Sequence, residues 1–210
     1  MINMTKVFVA GANGQVGRLV IETLLTNDCE AVGGYRDPVS QARGDTTQFH
    51  AVHFDLTDPV STLAQAMAGC DAIIFAAGSG GKNLLEVDLD GAAKTMMAAQ
   101  QAGITRFIHL SALNVQDRIF WPKSGINDYY IAKYYADEWL KTRTSLDWVI
   151  VEPTALTNDD GTGKITLKPQ GQSQISRQDV ATVLVEAVNS DLHRQELEIA
   201  SGDVPIAQAF

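Results

Sequence analysis

The chain has 210 residues, 45% of them hydrophobic and 20% charged, with a formal net charge of -9 at neutral pH. That length suits one α/β domain, and the acidic balance, without a cluster of Lys and Arg, argues against a nucleic-acid partner. Cys29 and Cys70 are too few for a disulfide framework or a cysteine metal site, and no apolar run approaches the roughly 20 residues of a bilayer span.

The first ten residues lack a basic start and a cleavage site, so they are expected to be the first strand of a cytoplasmic protein and not a signal peptide. The apolar run Lys6-Val-Phe-Val-Ala10 breaks into Gly11-Ala-Asn-Gly14-Gln-Val-Gly17 and then into a helix-like pattern. Glycines there allow a sharp turn, a close approach to a pyrophosphate and a helix start whose N–H groups face the anion. Gly11, Asn13, Gly14, Gln15, Val16 and Gly17 are therefore the first binding candidates. A second apolar strand, Glu30 to Tyr35, begins at about the distance a dinucleotide fold requires.

Further strand-like runs fall near residues 49 to 54, 72 to 76, 105 to 110 and 146 to 151, with helical patterns at about 15 to 26, 60 to 68, 84 to 102, 128 to 143 and 177 to 189. This alternation predicts a doubly wound, Rossmann-type parallel sheet with helices on both faces. The polar stretch 36 to 48, with Pro38, reads as loop or a short irregular turn, and Glu196 to Ala200 as a late strand closing the sheet edge. Residues 112 to 127 and 154 to 175 fit the alternation poorly. They leave the carboxyl ends of late strands, so they are expected to be loops that form substrate walls, or plain surface loops.

At the tip of the second strand, Arg36 could fork onto a 2′-phosphate, which tilts the cofactor towards NADP, with NAD possible. Asp37 would oppose this unless it points away or pairs with Arg36. Asp55, ending the third strand, could accept from an adenine amino group while Leu56 packs on the ring; Asp55 could equally serve a turn, and Asp58 a helix cap. The small residues Ala76, Ala77 and Gly78 after the fourth strand leave clearance for a dinucleotide backbone.

His109-Leu-Ser111 ends the fifth strand, and Tyr129 and Lys133 stand four apart on one face of a later helix. A phenol is a slow acid at neutral pH unless a nearby ammonium and a nicotinamide cation lower its pKa; Lys133 could supply the first, while Ser111 could hold a substrate oxygen in line with the phenol. No two histidines have ligand spacing with a carboxylate, so no metal is expected.

Gly11 to Gly17, Asp55-Leu-Thr-Asp58, Val87-Asp-Leu-Asp-Gly91, Ala102 to Ser111, the Tyr129–Lys133 pair, Leu146 to Pro153 and Ile175 to Ala181, in that order, resemble the short-chain dehydrogenase/reductase superfamily in its atypical branch of small NAD(P)H-binding proteins, of the NmrA-like and biliverdin-reductase-B-like kind. The resemblance implies a cofactor clasped by the glycine turn, Arg36 near the adenosine phosphate, Asp55 and Leu56 at adenine, and Ala76 to Gly78 along the ribose. It further implies Lys133 on the nicotinamide ribose and the backbone after Pro153 at the carboxamide. Glu152 stands where many relatives carry Arg, and Thr154 where a glycine is usual. The expected activity is hydride transfer between nicotinamide and a small carbonyl, quinone or conjugated substrate, with Ser111, Tyr129 and Lys133 catalytic and the protein a monomer or homodimer. A nucleotide-sugar epimerase or dehydratase is a second expectation, disfavoured by the roughly 60 residues after the sixth strand, too few for a sugar-binding lobe. A cofactor-sensing regulator without turnover is a third.

Overall fold

The computed structural model describes residues 4–42, 44–171 and 173–210; Arg43 and Gln172, within two of the predicted loops, lie outside the described residues. The chain alternates β1 (Lys6–Ala10), α1 (Gln15–Thr26), β2 (Glu30–Tyr35), a short α2 (Pro38–Gln41), β3 (Phe49–His53), α3 (Val60–Ala66) and β4 (Ala72–Phe75). A π-helical stretch, Leu84–Gly91, runs into α4 (Ala92–Gln101), followed by β5 (Arg106–Leu110), α5 (Asn127–Arg143) and β6 (Asp147–Pro153). The remainder is β7 (Ala155–Thr157), β8 (Lys164–Leu167), β9 (Gln174–Ser176), α6 (Arg177–Asn189), β10 (Gln195–Ser201) and β11 (Val204–Pro205).

The nine-stranded sheet has the order β11-β8-β10-β6-β5-β4-β1-β2-β3, parallel from β3 through to β10. Its central strands are apolar without alternation because both faces are covered. Val7, Val9, Ile74, Ile108 and Val149 pack under α1 and α6, while Phe8, Ile73, Phe75, Phe107 and Ile150 pack under the other helices. The order reverses between β1 and β4, which both leave their carboxyl ends beside the glycine turn, the position at which a Rossmann-type sheet opens a crevice for a ligand.

Three expectations require correction. Residues 154 to 175 are not loop throughout but contain β7, β8 and β9, strands of three or four residues whose partners lie far along the chain: β8 pairs antiparallel with β10 and with β11. For the same reason β10 is not the sheet edge, since β8 and β11 lie outside it. The single helix expected over 84 to 102 is broken in type. Gly91 passes so close to Leu56 that an added Cβ would meet its Cβ at 3.0 Å, and Asp88 turns inward to accept from the Ser79 N–H at 3.0 Å. A π-helical turn takes up the resulting offset, a feature that recurs beside functional sites.

Arg106, on β5 and almost fully buried, locks α6 to the sheet. Its guanidinium donates to the carbonyls of Ala187, Val188 and Leu192 at 2.5, 3.2 and 2.6 Å and pairs with Asp147 at 2.9 Å. The carbonyls of Ala187 and Val188 belong to the last turn of α6, where no intrahelical donor reaches them, and that of Leu192 to the loop just beyond it.

Candidate active site

Gly11 has φ +88°, a left-handed conformation in which a side chain is strained, and a Cβ there would stand 2.6 Å from the Ala77 backbone. Gly17 is tighter still: its Cβ would lie 2.1 Å from the Gly11 carbonyl oxygen. These contacts seat the start of α1 directly on the turn, with the Gly14 N–H donating to Gly11 O at 2.9 Å. The N–H groups of Gln15, Val16 and Gly17 then have no carbonyl in a preceding turn to bind. They form a ready anion site, and the residues present fit a pyrophosphate.

From this turn a cleft of about 1930 Å³ crosses the carboxyl ends of the strands. That is well beyond the ~1,000 Å³ upper range of a pocket for one small molecule, and leaves space for a dinucleotide with a second ligand. It is lined by Gly11, Asn13, Gly14, Gln15 and Val16, by Arg36 at the tip of β2, by Asp55 and Leu56 after β3, and by Ala76, Ala77 and Gly78 after β4. Ser111, Tyr129, Lys133 and Pro153 line its other end. Gly17 acts from behind, through its contact with Gly11.

At the β2 tip, Asp37 caps α2. Its carboxyl oxygens accept from the Ser40 N–H and hydroxyl at 3.3 and 2.5 Å, which hold its pKa below the ordinary carboxylate value. Asp37 is thus occupied away from Arg36. Asp55 does turn work, accepting from the Thr57 N–H at 2.9 Å and from its hydroxyl at 2.8 Å, and these bonds, with Arg36 nearby, lower its pKa as well. Asp58 does not cap α3, which begins after Pro59; it meets His53 Nε2 at 3.1 Å instead.

At the other end, Tyr129, Lys133 and Asp137 follow one another at four-residue steps on one face of α5. Lys133 is buried and donates from Nζ to the Leu110 carbonyl at 2.6 Å. Burial pulls its pKa down, and Asp137 and Asp88 pull it back up. Ser111 donates its hydroxyl proton to Asp137 Oδ2 at 2.5 Å. A serine hydroxyl has one proton, so Ser111 presents an acceptor to the cleft and not the free donor that the spacing suggested. On the far side of Asp137, His109 Nε2 lies 3.2 Å from Oδ1 but outside hydrogen-bond alignment, and burial holds the imidazole below its ordinary pKa.

In the protein alone the surroundings raise the pKa of the Tyr129 phenol, so Lys133 by itself does not lower it. Burial, then Asp88, Tyr130 and Asp137, raise it, because a phenolate would be poorly solvated and would face two carboxyl groups. Glu152, on β6 and 3% exposed, sits in the same anionic surroundings, and burial with the nearby Asp137 pushes its carboxyl up to about 8.

Three residues of this site escaped the sequence. Asp137 could have been found by extending the Tyr129–Lys133 step by four. Asp88 gave no periodic signal because it sits in the π-helical turn. Arg177, which lines the cleft at the start of α6, reaches it only through the β7–β9 pairing. Of the aromatics on α5, Tyr130 is buried, but Tyr135 and Trp139 are exposed and belong to neither core nor pocket. Tyr135 stands beside Arg118, which lies over the rings of Trp121 and Tyr134.

Residues 11–191 match a family described as NAD(P)H-binding. Over 213 residues, covering 98% of each chain, the protein is 40% identical to "Uncharacterized sugar epimerase YhfK" of Bacillus subtilis. It is 36% identical to the UPF0659 protein YMR090W of Saccharomyces cerevisiae, covering 96% of this chain and 95% of that one. Among solved structures, the oxidoreductase ylbE from Lactococcus lactis superposes with a TM-score of 0.92 at 36% identity, over 98% of this chain and 94% of that one.

Proposed function

The chain belongs to the NAD(P)H-binding family, and from that premise we propose that it is an oxidoreductase of the short-chain dehydrogenase/reductase type that prefers NADP and reduces a small carbonyl, quinone or conjugated substrate. The observation that carries this is the continuity of one cleft from the α1 amino end to Tyr129 and Lys133. In this reading Gly11, Asn13, Gly14, Gln15, Val16 and Gly17 hold the diphosphate, Arg36 the 2′-phosphate, and Asp55 and Leu56 the adenine. Ala76, Ala77, Gly78 and Lys133 flank the riboses, and the backbone at Pro153 meets the carboxamide. When bound, the nicotinamide supplies the hydride.

The chain's own residues supply position and a proton. Tyr129 donates from its hydroxyl to the substrate oxygen, with the Lys133 ammonium offsetting the burial and the carboxyl groups that otherwise weaken the phenol as an acid. Lys133, fixed by Leu110 O, places its remaining N–H donors towards the ribose and the phenol. Ser111, with its proton engaged by Asp137, accepts from a donor at the reacting centre. The partner of the protein is then a small molecule, and it works as a monomer or homodimer in the cytoplasm.

Arg36 decides the cofactor preference in this scheme, because Asp37 is occupied with Ser40. Titrating NADPH and NADH into wild type and R36A tests it. Wild type is expected to favour NADPH, and R36A to lose about 10- to 100-fold of NADPH affinity, the scale of a charged hydrogen-bond pair, with NADH little changed. Equal affinities in wild type would refute the NADP preference. The name of the Bacillus subtilis relative favours a second reading, a sugar epimerase with tightly held NAD; purified protein carrying NAD that does not exchange would select it.

A further inference from the structure

Arg177 opens α6 and lines the cleft on the side away from Arg36. Its Nη1 donates to Leu156 O at 3.3 Å and to Asn158 Oδ1 at 2.8 Å, which fixes the guanidinium against β7. Among the described residues no carboxylate pairs with it, whereas Arg106 is paired with Asp147. A guanidinium has five N–H donors, so most of this one's capacity is left over, in a chain of net charge -9 that has carboxylates in excess.

Two buried hydroxyls of the same cleft lining have no partners. Thr154 lines the cleft at 8% exposure and its Oγ1 has no hydrogen-bond partner; the Ser173 Oγ is likewise enclosed and unpaired. The parallel pairing of Ala155 with Gln174 and Leu156 with Ile175 carries Thr154 opposite Ser173 when extended by one step. Thr154 immediately precedes β7, and the Leu156 carbonyl that holds Arg177 lies two residues further along the same segment. Buried hydroxyls are normally satisfied, and two unsatisfied ones in residues that line the same cleft as an unpaired guanidinium are donors awaiting an acceptor. The residue at 154 is also where the resembled family usually has glycine, which would offer no hydroxyl.

We infer that Arg177, Thr154 and Ser173 form an oxyanion subsite on the β7–β9 side of the cleft, one that takes a carboxylate or phosphoryl oxygen. Arg177 supplies the charge and a planar pair of N–H groups, and the two hydroxyls supply the remaining donors. The oxyanion belongs either to the substrate, which is then an acid or a phosphate ester, or to the diphosphate of the dinucleotide. The inference deepens the proposed function but concerns binding alone, so it stands apart from hydride transfer.

The test titrates inorganic phosphate and malonate into the full-length protein by calorimetry, with and without saturating NADPH, and measures NADPH affinity in wild type, R177Q, R177K and T154V. A substrate subsite is supported if the NADPH-loaded wild type binds either probe saturably, R177Q weakens it at least tenfold, T154V weakens it severalfold and R177K retains part of it. A cofactor subsite is supported if neither probe binds the loaded protein but R177Q and T154V each weaken NADPH by those factors. The inference is overturned if probe and NADPH affinities are the same in wild type and T154V and in whichever Arg177 variants fold. Should wild type fail to bind NADPH, the proposed function falls, while the probe titration of the unloaded protein still decides the subsite.

Discussion

Tyr129 shows how a residue's surroundings set the strength of its chemistry. Burial, with Asp88 and Asp137 nearby, disfavours the phenolate and makes the phenol a weaker acid than usual, so in the proposed reaction its proton transfer depends on the Lys133 ammonium offsetting those groups. Y129F is therefore expected to lower turnover by about 10²- to 10⁴-fold, the range of general acid catalysis, while the NADPH dissociation constant stays within about twofold; a stopped assay and a titration on the same preparation check both. Glu152 makes a prediction about stability. Its carboxyl is raised from 4.5 to about 8 in the folded state, so between those pH values the folded protein holds a proton that the unfolded chain releases. Stability contributed by the protonated group is present below pH 4.5 and is lost as pH rises towards 8, at a slope of at most about 1.4 kcal/mol per pH unit. E152Q removes that dependence. In urea melts it is expected to match wild type near pH 4.5 and to exceed it at pH 8; a wild type at least as stable at pH 8 would contradict the assignment.

At the scale of elements, the glycine turn and α1 act as one unit. Gly17 has no room for a methyl group, since a Cβ would lie 2.1 Å from Gly11 O, so G17A must push the first turn of the helix off β1. The expected result is a loss of about 1–3 kcal/mol of stability, as for other overpacked sites, together with a larger loss of nucleotide affinity because the N–H groups of residues 15 to 17 no longer converge. Calorimetry of G17A against wild type measures both. The π-helical turn before α4 works in a related way, exchanging regular hydrogen bonding for an inward Asp88 that ties the β4 loop at Ser79. These two devices set the floor and one wall of the cleft. A third wall comes from β7 and β9, short strands with a parallel pairing that brings Arg177 to the cleft.

For the whole molecule, the topology places every proposed contact at the carboxyl edge of the sheet, so a bound dinucleotide would bridge loops from β1, β2, β3, β4, β5 and β6. A ligand that binds only the folded state stabilises it by mass action: NADPH at about 100 times its dissociation constant adds about 2.7 kcal/mol, or roughly 5–10 °C in melting temperature for a chain of this size. No shift with either NADPH or NADH would remove the nucleotide from the account altogether. The parallel sheet, the glycine turn, Arg36 and the Tyr129–Lys133 face were legible in the residues, because buried strands, helix periodicity and left-handed turns each impose a local pattern on composition. What escaped were pairings between distant segments: β8 against β10, Ala155 opposite Gln174, and Asp137 taking the proton of Ser111. Local sequence thus determined the elements and the glycine-turn end of the cleft. Only the tertiary structure decided the donors, acceptors and charges at the Tyr129–Lys133 end, since a hydroxyl's partner and a carboxyl's pKa depend on which remote groups the fold brings within reach.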